Sequence, residues 1–221
     1  MRLSEIQKSS SRQERQKGRC SMSENKTLQY YNQNAEAFSM ATLWVDFSDV
    51  QQAFLKVLPR KAHMLDFGCG SGRDSKYFLE HGYQVTAVDG SEKMCLLALD
   101  LIGQPVRQML FHELNDKNAY DGIWACASIL HLTKDELQEV LNKMVQALKA
   151  NGVIYTSFKY GTFEGERNGR YFTDFEEESF MAFIERIKEL QIEKMWVTGD
   201  VREGRGDERW LNLLLRRADI S

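Results

Sequence analysis

The stretch that decides the fold is MLDFGCGSGRDS, residues 64–75. Apolar letters run up to Phe67, then Gly68, Gly70 and Gly72 alternate with small residues, and Arg73 opens a helical pattern. That succession predicts a buried strand, a tight turn and a helix. Glycine in such a turn allows backbone conformations closed to other residues and lets another molecule approach the main chain. A helix that starts straight after the turn presents free N–H groups and a partial positive charge to an anionic group.

Working outward, the same alternation repeats. Gly82 caps the helix from Arg73 to His81, and YQVTAVD (83–89) reads as the next strand, with Asp89 at its tip. Ser91 caps a helix running to about Leu101; a short strand near Val106–Phe111 and the strand YDGIWACAS (120–128) follow. Thr133 and Glu136 form a capping box for a helix over 134–149, stopped by Asn151-Gly152. GVIYTSFKY reads as a further strand, and Thr173 with Glu176 as a second capping box for a helix near 174–190. The runs EKMWVT (193–198) and RWLNLLLRR (209–217) close the chain. Their connecting turn is too short for a parallel crossover, so that pair is expected to be antiparallel. Upstream, Leu28, Tyr31, Ala35 and Phe38 recur at helical spacing, as do Phe47, Val50, Phe54 and Leu58 before Pro59. Alternating strands and helices imply an α/β fold with a mostly parallel sheet covered on both faces.

Composition bounds the rest. The 221 residues are 43% hydrophobic and 28% charged, with 29 basic against 32 acidic side chains, a net charge of −3. Those values fit a globular protein with one good core. The expected organisation is a basic tail over 1–21 and one domain over 22–221, divided into a helical cap (22–60) and an α/β core (61–217). The tail carries six basic and two acidic residues, a charge of +4 that leaves −7 for the remainder. It reads as a solvated disordered extension, and Met22 is an alternative start. No apolar run approaches the roughly 20 residues that cross a bilayer, and the N-terminus lacks an apolar signal core. Cys20, Cys69, Cys95 and Cys126 are scattered, and His63, His81, His112 and His131 show no ligand spacing. The expectation is therefore no disulfide framework, no metal and a cytoplasmic setting.

A carboxylate at the tip of the second strand can accept hydrogen bonds from both hydroxyls of a ribose, so the turn and Asp89 together predict a nucleoside-bearing ligand. The dinucleotide pattern G-x-G-x-x-G would need a third glycine where Arg73 stands, and the phosphate-loop pattern is missing. LDFGCGSGRDS, followed by VTAVDGSEKM and YDGIWACASILHL, resembles the class I S-adenosylmethionine-dependent methyltransferases over residues 28–217. The resemblance implies a Rossmann-like, doubly wound, mostly parallel seven-stranded sheet with an antiparallel final strand. S-adenosyl-L-methionine is the implied cofactor. Asp66 would lie under the turn, Gly68, Cys69, Gly70 and Gly72 would let the methionine part lie against the chain, and Asp89 would hold the ribose. Gly90 and Ser91 would border the adenine, with Phe111, His112 and Glu113 flanking it, although the aspartate common in that segment is absent. Cys126, Ala127 and Ser128 would lie beside the sulfonium, and Tyr30 and Tyr31 match the paired aromatics that close such sites.

A sulfonium is already an excellent leaving group, so the protein's task is to align a nucleophile with the S–CH3 bond at ~3 Å and to exclude water. His131, just past the fourth strand, is the candidate base for a protonated acceptor. FKYGTFEGERNGRYFTD (158–174) reads as a long loop bearing Tyr160, Arg167 and Arg170, and the terminal turn contributes Arg202, Arg205 and Arg209. Converging guanidinium groups suit a carboxylate or phosphate, so the leading expectation is a small anionic or heteroatom-bearing acceptor. An RNA acceptor met by the basic tail, and a non-catalytic S-adenosylmethionine-binding regulatory protein, are the alternatives. A monomer and a homodimer are both open.

Overall fold

Residues 22–202 and 204–218 are described in the computed structural model, so expectations for the basic tail lie outside the described residues. The chain enters through α1 (Met22–Thr42) and α2 (Ser48–Leu55). The core then alternates β1 (His63–Phe67), α3 (Arg73–Glu80), β2 (Gln84–Asp89), α4 (Glu92–Ile102), β3 (Arg107–Gln108), β4 (Tyr120–Ala125), α5 (Lys134–Ala147) and β5 (Leu148–Lys159). A hairpin, β6 (Glu164–Arg167) and β7 (Arg170–Thr173), precedes α6 (Glu177–Ile184), β8 (Leu190–Gly199) and β9 (Arg209–Arg217).

The sheet has seven strands in the order β3-β2-β1-β4-β5-β9-β8. The pairs through β5 are parallel, and β9 runs antiparallel to both β5 and β8. Strand alternation sends successive side chains to opposite layers. Met64, Trp124 and Tyr155 pack with Phe54 and Phe78 on one face, while Leu65, Phe67, Ile123 and Ile154 join Leu141 and Phe158 on the other. Between β1 and β4 the order reverses, and an open α/β sheet forms its ligand crevice beyond the strand ends at such a point.

The predicted caps hold where the side chain makes the bond. Ser91 accepts from the Met94 amide, and Thr133 and Glu136 satisfy each other's backbone. Four expectations are corrected. The expected loop over 158–174 contains the β6–β7 hairpin, because the turn at Asn168-Gly169 uses two left-handed residues to fold the strands together. Thr173 caps nothing: it is fully buried at the end of β7 and donates to the Leu132 carbonyl, while Glu176 and Ser179 form the box that starts α6. Strand β3 is only Arg107–Gln108, since the chain coils into a 3-10 turn at Phe111–Glu113. Helix α5 ends at Ala147, because Leu148 already pairs with Tyr120. Among the described residues, no helix is long and apolar enough to cross a membrane.

Candidate active site

The glycine turn is built from the backbone up. Gly68 has φ +86°, and a Cβ there would land 2.5 Å from the Ser128 Cβ, so only glycine lets β1 end against the loop after β4. Gly70 has φ +55° and nothing within 4 Å of a would-be Cβ, because it faces open space. Its amide donates to the Asp89 carboxylate at 2.9 Å, and the Ser91 amide donates to the other oxygen at 2.8 Å. Two backbone donors fix the carboxylate and leave further lone pairs on both oxygens. Burial raises the Asp89 pKa, and those amides counter it.

Open space in front of Gly70 continues into one cavity of about 220 Å3. One end is lined by Gly68, Cys69, Gly70, Asp89 and Gly90, with Met94, Met109, Leu110 and Phe111 forming an apolar slot beside them. Cys126, Ala127 and Ser128 border its middle, and α1 roofs it with Thr27, Leu28, Tyr31 and Phe38. The far end holds His131, Lys159, Arg170, Arg202, Arg205, Trp210 and Asn212.

Several sequence-predicted residues stand apart from this cavity. Asp66 is 2% exposed beneath the turn and accepts from the Ser75 hydroxyl at 2.6 Å. Gly72 caps α3 and packs on Ala98, and Ser91 spends its hydroxyl on α4 and Asn32. Tyr30 lies outside, with the Arg170 guanidinium 4.4 Å from its ring. His112 and Glu113 fall outside too; Glu113 closes the 3-10 turn through the Leu110 amide. Tyr160 donates to Glu177, Arg167 is held by Asp174 on both oxygens, and Arg209 lies over the Tyr160 ring. Of the arginines expected to meet the acceptor, the cavity gathers Arg170, Arg202 and Arg205.

The electrostatics of the far end are set by what is left unpaired. Asp200 accepts from Arg202 and from the Trp210 indole, and its carboxyl lies well below the ordinary range because those bonds outweigh burial. Lys159 faces Asp200 at 3.7 Å and Glu208, and burial lowers its pKa to about 8. Arg170 has no carboxylate partner among the described residues: its Nε is buried without a bond, and its guanidinium rests on the rings of Tyr30 and Phe172. Burial also pushes the Cys126 thiol up to about 12, so it lines the cavity as a neutral group. Among the described residues, no group of metal-ligating side chains is assembled.

Sequence reasoning missed one feature at the cavity wall. Arg73 grips Asp74 with Nε and Nη2 at 2.8 and 2.9 Å, and Asp74 also accepts from Gln51 and from the Trp124 indole. The only signal was the Arg-Asp pair after the glycines; its partners lie 23 and 50 residues away.

Residues 65–154 match the family described as a methyltransferase domain. The chain carries a methyltransferase domain. The domain is 29% identical over 130 residues to the putative methyltransferase YqeM of Bacillus subtilis, covering 53% of this chain and 49% of that protein. It is 31% identical over 101 residues to the malonyl-[acyl-carrier protein] O-methyltransferase of Salmonella typhimurium, covering 42% and 37%. The chain thus spans about half the length, or less, of these curated relatives. Its fold matches the 1,6-didemethyltoxoflavin-N1-methyltransferase of Burkholderia thailandensis, a structure with bound S-adenosylhomocysteine. The TM-score is 0.67 at 23% identity, over 87% of this chain and 85% of that one. The cofactor that names the family fits this methyltransferase crevice: an accessible carboxylate at Asp89, bare backbone at Gly70 and an apolar slot match a ribose, an amino-acid tail and a purine in turn.

Proposed function

We propose that this chain transfers a methyl group from S-adenosyl-L-methionine to a small acceptor bearing a carboxylate or phosphate. Asp89 holds the ribose hydroxyls, Gly68, Cys69 and Gly70 receive the amino-acid tail, and the slot of Met94, Met109, Leu110 and Phe111 takes the adenine. The bound cofactor supplies an activated methyl group on a positively charged sulfur. The protein's own residues do the rest: they orient the acceptor, exclude water behind α1 and the hairpin, and manage a proton. Keeping the Cys126 thiol protonated removes a competing nucleophile from the same cavity.

The observation that carries the acceptor class is Arg170, a cavity-lining cation with no carboxylate partner among the described residues. A guanidinium held on aromatic faces, with Nη1 directed to the Tyr31 hydroxyl and no carboxylate to neutralise it, keeps its charge for an anion in the cavity. Lys159, Arg202 and Arg205 add cationic character around Asp200 at the same end. A small-molecule acceptor also accords with one structural neighbour, the 1,6-didemethyltoxoflavin-N1-methyltransferase. A soluble, cytoplasmic setting completes the reading.

The test is incubation of the full chain with methyl-labelled S-adenosylmethionine and fractionated cell extract. Label should enter anionic small molecules, and Arg170→Ala should lower that transfer about tenfold or more through KM. Label in RNA or protein, or none in any fraction, would overturn the acceptor assignment.

A further inference from the structure

Tyr31 on the cavity roof and His131 on its floor meet, and a third atom fixes the direction of the bond between them. His131 Nδ1 lies 2.6 Å from the Tyr171 carbonyl oxygen, which can only accept, so Nδ1 carries the ring proton. Nε2 is then bare, and it accepts the Tyr31 hydroxyl proton at 2.9 Å. The Tyr31 oxygen keeps its own lone pairs: Arg170 Nη1 approaches at 3.4 Å, and the cavity lies in front. The charged and titratable groups facing this pair are Arg170 from β7, Asp89 from β2 and Tyr30 from α1; Phe38 and Phe172 supply apolar walls. His131 is buried and Tyr31 partly so, and the acceptor that the Tyr31 hydroxyl meets among the described residues is His131 Nε2.

We propose that Tyr31 takes the acceptor's proton, with His131 as the positioning residue that receives Tyr31's own. The proposal rests on the methyltransferase reading and deepens it: an anion held at Arg170 brings a protic group (hydroxyl or thiol) to the Tyr31 oxygen. The acceptor's lone pair forms the new bond to the methyl carbon, and the electron pair of the broken methyl–sulfur bond stays on sulfur. The acceptor's proton passes to the Tyr31 oxygen as the Tyr31 proton passes to Nε2. The positive charge lost from sulfur reappears on the imidazole, so the net charge of the site is unchanged. Burial lowers the His131 pKa to about 4, so the ring is neutral near pH 7 and free to receive the proton.

The test uses the labelled extract fraction as acceptor, in single turnovers from about pH 6 to about pH 9. The wild-type rate should be nearly flat. Tyr31→Phe and His131→Gln should be slower by roughly 10²–10⁴ at neutral pH and rise about tenfold per pH unit, as only pre-ionised acceptor reacts. Glutamine still accepts the Tyr31 hydroxyl but cannot take its proton, so its loss separates proton transfer from orientation. Near-wild-type rates with a flat profile in either variant would overturn the proposal. S-adenosylhomocysteine affinity, measured by calorimetry on each variant, identifies one that has merely lost its fold or its cofactor site. Nitrogen-15 resonances of His131 in the S-adenosylhomocysteine complex give a readout independent of turnover. The proposal expects an Nδ1–H tautomer whose Nε2 signal shifts in Tyr31→Phe; an unshifted signal would refute it even if no fraction is methylated.

Discussion

Asp66 and Asp74 both lie buried beneath the glycine turn, yet their surroundings push their carboxyls in opposite directions. Burial raises Asp66 to about 8, with the nearby Asp74 charge adding to it and one Ser75 hydroxyl bond opposing. Burial also acts on Asp74, but the Arg73 guanidinium and the bonds from Trp124 and Gln51 hold it below the ordinary range. Linkage then gives the signs. The folded state binds the Asp66 proton more tightly than the unfolded chain does. Its contribution is therefore complete below about pH 4 and is lost as pH rises through about 8. Denaturation across that window should show Asp66→Asn flattening the decline in stability; an unchanged slope would contradict the assignment. Asp74→Ala should cost ~3–5 kcal/mol, measured in the same way, because it strands the Arg73 cation. At this scale the sequence showed what was local. Asp89 and the glycines were readable because a strand tip and a turn are set by neighbouring residues. The Arg73–Asp74 fastening was not, because it exists only once α2 and β4 bring Gln51 and Trp124 to it.

Among the elements, helices announced themselves best where a side chain closes a terminus. Thr133 and Glu136 satisfy both ends of their box, so Thr133→Ala should cost about 1 kcal/mol and lower Tm by roughly 2–4 °C in a thermal melt. The same letters misled at Thr173, where tertiary pairing of β7 with β6 claimed the residue before a helix could. The hairpin escaped notice because EGER and RYFT carry little alternation; their order comes from α1. Thr27 accepts from the Tyr171 amide, and Lys26 pairs with Glu166. That ion pair is more than half exposed on both sides, so Lys26→Ala should change stability by less than about 1 kcal/mol in chemical denaturation. The hairpin matters more for what it carries: it brings Arg170 to the Tyr31 hydroxyl, and no spacing rule in the sequence foretold that meeting.

Across the whole molecule, the order reversal between β1 and β4 opens a single crevice whose two ends differ in charge. A carboxylate at Asp89 waits at one end, cations gather around Asp200 at the other, and Arg170 lies against Tyr31. The folded body is acidic overall, so the cationic end is a local device rather than a broad basic face, and it suits a small anion better than a polynucleotide. The fold was legible from the alternation of strands and helices. The acceptor end was legible only as candidate arginines, since three of the six acceptor-binding candidates, Tyr160, Arg167 and Arg209, turn to partners outside the cavity. What everything else presupposes is that the adenosyl cofactor lies on the turn at Gly68–Gly70 with its ribose on Asp89. Calorimetry with S-adenosylmethionine on the wild type and Asp89→Ala tests this most directly. The wild type should bind, and the variant should lose about tenfold to a hundredfold in affinity, roughly 1.5–3 kcal/mol; equal affinity in the two proteins would remove Asp89 from the ribose.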